Sequence, residues 1–197
     1  MGSNSSSVGR MQALVVGLQR SGKTFFLKKL AEMTNKDIAG AEIDQTIGYN
    51  LINFKYHNLT FDIWEVGGDP VSRTFWPTFY RNLKIDIIVF MINLNDAKSH
   101  QDALKEFLIL VNEEELKNAR LMIIFNSIVD EKHSIIEGKD EEDKETVDAL
   151  LNYIRECPVH DYDNRVMHSI FDISKMKDGE NKTLDLLNEI FTINGKK

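Results

Sequence analysis

The chain has 197 residues, of which 42% are hydrophobic and 28% charged, with one cysteine and a formal net charge of −7. That is the size and balance of one compact globular domain; Cys157 alone excludes an internal disulfide or a cysteine metal site and points to a reducing, cytosolic compartment. The negative charge argues against a nucleic-acid partner, and the longest apolar stretch, Ile85 to Leu94, carries Asp86 and Asn93 and is about half the length of a bilayer span.

Residues 1–10 are rich in Gly, Ser and Asn without periodicity and read as a disordered leader. The leader fits M-G-x-x-x-S, the pattern that places a myristoyl chain on Gly2, and equally fits a plain flexible terminus. Gln12–Gly17 is a short apolar run ending in glycine, hence a buried strand, and Thr24–Met33 spaces Phe26, Leu27, Leu30 and Met33 as a helix. Leu51–Tyr56 and Leu59–Val66 alternate apolar and polar residues around His57-Asn58, which predicts a hairpin. Ile85–Asn93 and Arg120–Asn126 are rich in Ile, Val, Leu and Phe, as strands buried on both faces are. Between them Ala103, Phe107, Leu110 and Val111 form one helical stripe. Glu137–Glu145 is a charge run that reads as a solvated loop or helix start. Amphipathic segments at Asp148–Cys157 and Thr183–Phe191 flank a strand at Met167–Ile173, before a polar tail at 194–197. The alternation predicts an α/β fold: a mostly parallel six-stranded sheet with one antiparallel hairpin and helices on both faces.

The chemistry begins at the first strand–helix junction. Gly17-Leu18-Gln19-Arg20-Ser21-Gly22-Lys23-Thr24 fits G-x-x-x-x-G-K-[ST] directly after a strand and at the start of a helix. Glycines let such a loop wrap a phosphate, so that the backbone N–H groups of residues such as Gln19, Arg20 and Ser21 point inward and the helix N-terminus adds partial positive charge. Lys23 then reaches the β- and γ-phosphates, and the Thr24 hydroxyl ligates Mg²⁺. ATPases, nucleotide kinases and GTPases all use this loop. A kinase would need arginines in a lid over the phosphates, and the region after Asn126 is acidic instead. Thr46-Ile47-Gly48 lies in a polar loop before the hairpin, where a GTPase places the threonine that closes over Mg²⁺ and the γ-phosphate. Trp64-Glu65-Val66-Gly67-Gly68 ends the second hairpin strand, where Glu65 can hold a Mg²⁺-bound water and the Gly68 N–H can meet the γ-phosphate. His57 and His133 have no metal-ligand spacing and read as surface histidines.

GLQRSGKT, QTIGYN, WEVGG and FWPTFY together resemble the Arf-like branch of the small GTPases, over roughly Met11 to Phe191. The resemblance implies a small-GTPase domain at 11–193 that binds GTP or GDP with Mg²⁺ and recruits effectors through an aromatic trio falling on Tyr49, Trp64 and Phe79. Those three aromatics read equally well as core residues. The resemblance also implies exchange and activating factors as partners, and a cytoplasmic protein at the surface of membranes or at the cilium base. A single acyl chain on Gly2 would give only weak, reversible membrane contact.

Four positions depart from the family pattern. Asp69 stands where most of the family has the glutamine that orients the attacking water, and a carboxylate there is expected to face phosphate oxygens of its own sign. Glu65 is one methylene longer than the usual aspartate. The guanine-reading N-K-x-D appears as Asn126-Ser127-Ile128-Val129; loss of its aspartate removes charge-assisted bonds worth on the order of 3 kcal/mol, about a hundredfold in affinity. Asp130 is one residue late. The last base-contacting loop reads Ile173-Ser174-Lys175-Met176, where Ser174 and the Lys175 N–H remain available to the base. The phosphate end is therefore complete, while the hydrolytic and base-reading ends are altered. Two readings follow: a GTP switch with slow or absent hydrolysis, or an interaction subunit that binds nucleotide constitutively or not at all.

Overall fold

The computed structural model describes residues 9–33, 48–56, 59–127, 139–159 and 165–171. In chain order they form β1 (Gly9–Gly17), α1 (Lys23–Met33), β2 (Tyr49–Tyr56), β3 (Leu59–Val66), α2 (Pro70–Arg73), α3 (Trp76–Asn82), β4 (Ile87–Asn93), α4 (His100–Val111), β5 (Arg120–Asn126), α5 (Lys139–Glu156) and β6 (Val166–Phe171). The strands make one sheet in the order β2-β3-β1-β4-β5-β6. Every neighbouring pair is parallel except β2 and β3, which run antiparallel from Tyr49↔Val66 to Tyr56↔Leu59. This is the mostly parallel sheet with one antiparallel hairpin that the alternation predicts.

The central strands are apolar throughout because both faces of the sheet are covered. Alternate residues of β1 and β4 divide between two cores. Leu14, Val16, Ile88, Phe90 and Ile92 pack with Trp76 and Tyr80 of α3, Phe107 and Leu110 of α4, and Leu151 and Ile154 of α5. Ala13, Val15, Ile87, Val89 and Met91 face the other way, onto Phe26, Leu27 and Leu30 of α1. Helices therefore lie on both faces, and the stripe Ala103, Phe107, Leu110, Val111 is buried as its spacing predicts. No helix among the described residues is long and apolar enough to cross a membrane.

Most boundaries shift by one or two residues, and three differences from the sequence reading are larger in consequence. The first strand starts at Gly9, so Gly9 and Arg10, assigned above to the leader, pair with Leu59 and Thr60. Arg10 also forms an ion pair with the buried Asp62, a partner 52 residues away that no local pattern reveals. α5 starts at Lys139 rather than Asp148, because most of the charge run continues the helix as its solvent-facing first turns. The Pro70–Asn82 region folds as two short helices, α2 and α3, with no stripe long enough to show periodicity. The expected helix at 183–191 and the hairpin turn at His57-Asn58 lie outside the described residues.

Candidate functional site

The C-terminal ends of β1, β3, β4 and β5 converge on one edge of the sheet, the edge where open α/β folds bind ligands. The loop after β1 is shaped by backbone conformations that need glycine. Gly17 has φ +144°, and a Cβ there would lie 2.3 Å from the Met91 carbonyl oxygen; Gly22 has φ +93°. Arg20 adopts φ +62°, a left-handed conformation that costs a non-glycine residue about 1 kcal/mol. The Asn93 amide, which ends β4, donates to the Arg20 carbonyl at 3.1 Å and holds that turn. Strain kept in place by an outside partner is characteristic of a loop whose shape serves a ligand.

Lys23 opens α1 and is buried at 5% exposure. Its Nζ donates to the Gly17 carbonyl at 3.0 Å and the Leu18 carbonyl at 2.8 Å, and lies 3.4 Å from Ser21 Oγ. Burial pushes its pKa down to about 8, against the opposing pull of Glu65 and Asp69. A cation this buried, wrapped by carbonyl oxygens at a helix N-terminus, has no anion in direct contact among the described residues. A phosphate would supply it.

The remaining side chains tie the neighbouring strands to this loop. Glu65, fully buried on β3, accepts from Thr24 Oγ1 at 2.5 Å and from the Asn50 amide of β2 at 2.8 Å. Gly67 donates to the Gly48 carbonyl at 3.1 Å, and its own carbonyl accepts from the buried Trp76 indole at 3.0 Å. Gly68 presses against the loop: a Cβ there would lie 2.2 Å from the Gly17 carbonyl oxygen and 2.6 Å from Lys23 Nζ. Its carbonyl accepts from the Gln19 N–H at 3.0 Å. Asn126, at the end of β5 and fully buried, donates to the Ser21 carbonyl at 3.1 Å.

The loop Gly17–Thr24, Glu65, Gly68, Asp69, Asn126 and Ser127 thus come together at one place, as a single site requires. Asp69 has a role the sequence reading did not foresee, while its charge still acts on Lys23. Its carboxylate caps α2, accepting from the Val71 N–H at 3.0 Å, the Ser72 N–H at 3.1 Å and the Ser72 hydroxyl. The sequence D-P-V-S explains this: Asp at the N-cap, with Pro at the first helical position, is the favoured start of a helix. Tyr49, Trp64 and Phe79 meet with ring centroids 5.5–5.8 Å apart. Tyr49 is 58% exposed and the other two are half-buried, so the trio reaches the surface while Trp64 and Phe79 also pack against the core. Gly2, Thr46, Ser174 and Lys175 lie outside the described residues, as do Val129, Asp130 and His133.

Sequence reasoning missed Asn50, Asn93 and Trp76. Asn93 carried a usable signal: it is a polar residue closing an apolar strand, and it pairs in register with Asn126, which does the same on β5. Trp76 lies inside the quoted FWPTFY, but its indole bond to Gly67 has no sequence signature.

A family model described as the ADP-ribosylation factor family matches residues 2–169. Among solved structures, the Arl6 (BBS3) small GTPase from Trypanosoma brucei, determined with the nucleotide analogue GppNp bound, is similar to this chain with a TM-score of 0.67. The two are 19% identical, and the match covers 91% of this chain and 96% of that one, a likeness of fold.

Proposed function

The chain belongs to the ADP-ribosylation factor family, and from that premise we propose that it is a GTP-binding switch with weak or absent hydrolysis of its own. The observation that carries the reading is Lys23: a buried cation at a helix N-terminus, held by carbonyls and with no anion in contact among the described residues. The backbone N–H groups of the Gly17–Thr24 loop and Lys23 would hold the β- and γ-phosphates, and Asn126, Ser127, Ser174 and Lys175 are the residues proposed to meet the base. Mg²⁺ fits the donor set, since the Thr24 hydroxyl and the Glu65 carboxylate are hard oxygen donors already within 2.5 Å of each other. Thr24 and Thr46 would hold the ion directly and Glu65 through water, and the ion would neutralise charge on the phosphates. Thr24→Asn is therefore expected to weaken GTP binding in Mg²⁺ more than GDP binding, as measured by calorimetry with and without chelator. An equal loss for both nucleotides would count against the metal assignment.

The switch's output runs through the Tyr49–Trp64–Phe79 surface, with exposed Val71 and Phe75 on the segment that follows Gly68. Glu65 links Thr24 to Asn50, and Asn50 adjoins Tyr49, so a change at the phosphate end has a short route to this surface. Its partners are effector proteins there, with exchange and activating factors acting on the same loops. Within the family the chain resembles the divergent Arf-like protein sixteen in its E-x-G-G without a following glutamine, its F-N-x-I stretch and its late I-S segment. On that resemblance the output is membrane or ciliary trafficking, from the cytoplasm, with weak reversible membrane contact if Gly2 carries a myristoyl chain.

One observation favours a second reading, an interaction subunit that binds nucleotide constitutively or not at all. The Gly68 carbonyl already occupies the Gln19 N–H, one of the loop's phosphate-facing donors. The nucleotide content of the purified protein, together with whether that nucleotide exchanges with added GTP, separates the two readings.

A further inference from the structure

Val129 stands where the family pattern has the aspartate that reads a base. The base end of the site nevertheless has a carboxylate beside it. The Ser127 hydroxyl, buried at 5% exposure, donates to Asp143 Oδ2 at 2.5 Å. Asp143 belongs to the first turns of α5, in the charge run whose composition suggested only a solvated face. Ser127 directly follows Asn126, whose amide donates to the Ser21 carbonyl of the phosphate loop. Asp143, Ser127, Asn126 and Ser21 therefore form one connected line from α5 to the cradle.

The acceptors along this line are not used up. The Asn126 Oδ1 is buried and has no hydrogen-bond partner among the described residues. The Asp143 carboxylate has about four lone-pair sites, and the Ser127 hydroxyl takes one of them. A neutral and an anionic acceptor at the same end of a site call for a ligand edge made of donors. Guanine presents N1–H and N2–H₂ together on one edge. Adenine has only its N6–H₂ group, and its N1 is an acceptor that a carboxylate repels.

We propose that Asp143, oriented by Ser127, is the specificity-determining carboxylate that reads the N–H edge of guanine, supplied from α5 in place of the aspartate absent at Val129. The assignment rests on the nucleotide-binding reading above. It explains how this chain retains a base-reading carboxylate: a side chain sixteen residues after Ser127 is brought back to β5 by the helix that carries it.

The test is calorimetry of the full chain in Mg²⁺ with guanosine, xanthosine and adenosine diphosphates. Xanthine carries a carbonyl where guanine carries N2–H₂, so a carboxylate disfavours it and an amide N–H accommodates it. The wild-type protein is expected to prefer guanosine diphosphate. Asp143→Asn keeps the side-chain size and still accepts from Ser127, so circular dichroism should show the fold retained. Its affinity for guanosine diphosphate is expected to fall about 10- to 100-fold, while xanthosine diphosphate becomes the better ligand. Asp143→Glu should keep the order of preference with weaker binding, and Asp130→Asn should leave the preference as it is in the wild type. An unchanged guanosine-to-xanthosine ratio in Asp143→Asn, or an inversion produced by Asp130→Asn, would overturn the assignment. A wild-type protein that binds none of the three would instead defeat the nucleotide reading itself, and that is seen before any variant is made.

Discussion

Replacing Lys23 with alanine is expected to abolish detectable binding of both GTP and GDP in calorimetry, the largest effect of any single substitution in the domain. The backbone N–H groups of the loop would remain, but the one buried cation of the cradle would be gone. A charge-assisted bond in a dry site is worth roughly twice a neutral one, and Lys23 is placed to make several to phosphate. The loss should not come from unfolding, and the sign can be worked out. Burial lowers the Lys23 pKa from 10.5 to about 8, so below pH 8 its charged form costs the empty folded state on the order of 3 kcal/mol. That cost shrinks as pH rises from about 8 toward 10.5. Removing the group removes the cost, so at pH 7 the empty Lys23→Ala protein should melt no lower than the wild type. Bound GTP at wild-type affinity would show that the cradle reading is wrong.

The second large effect concerns turnover. In a single-turnover assay with saturating Mg²⁺ and no partner protein, GTP bound to the wild-type chain should persist for hours. One well-studied small GTPase with glutamine at the position of Asp69 hydrolyses GTP on the order of 10⁻⁴ s⁻¹ unaided. Here the carboxylate has no N–H to offer the water, and it is engaged at the start of α2 with Val71 and Ser72. Repulsion from phosphate, expected from the sequence, is thus joined by a second cause: the side chain is engaged in a cap worth about 1 kcal/mol. Asp69→Asn keeps the cap and removes the charge, and its rate should stay within a few-fold of the wild type. Loss of the γ-phosphate within a minute would show that the site positions water by another group.

Much of this fold was legible because its signals are local. Arg120–Asn126 is read to the residue, since an apolar run bounded by polar residues can only be a buried strand in an alternating chain. The phosphate loop was legible because its glycines answer to backbone conformations, and Gly17 and Gly22 have the positive φ the motif demands. What stayed hidden depends on pairs distant in sequence. Composition cannot tell that Asp69 caps α2 through Ser72, or that Asp143 reaches Ser127. The same holds for Gly68, whose carbonyl the fold presses onto the Gln19 N–H. The aromatic trio was ambiguous for a related reason, because alternation along β2 and β3 fixes which residues share a face but not whether α3 covers it.

The most direct measurement of the central claim is the identity and amount of nucleotide released when the purified chain is denatured, read by ion-exchange chromatography. A site with Lys23 buried among carbonyls and a guanine-reading end should hold a guanine nucleotide at close to one per chain, and chelating Mg²⁺ should speed its release. A chain that carries no nucleotide and takes up neither GDP nor GTP when they are supplied with Mg²⁺, or one that carries an adenine nucleotide instead, would contradict the account.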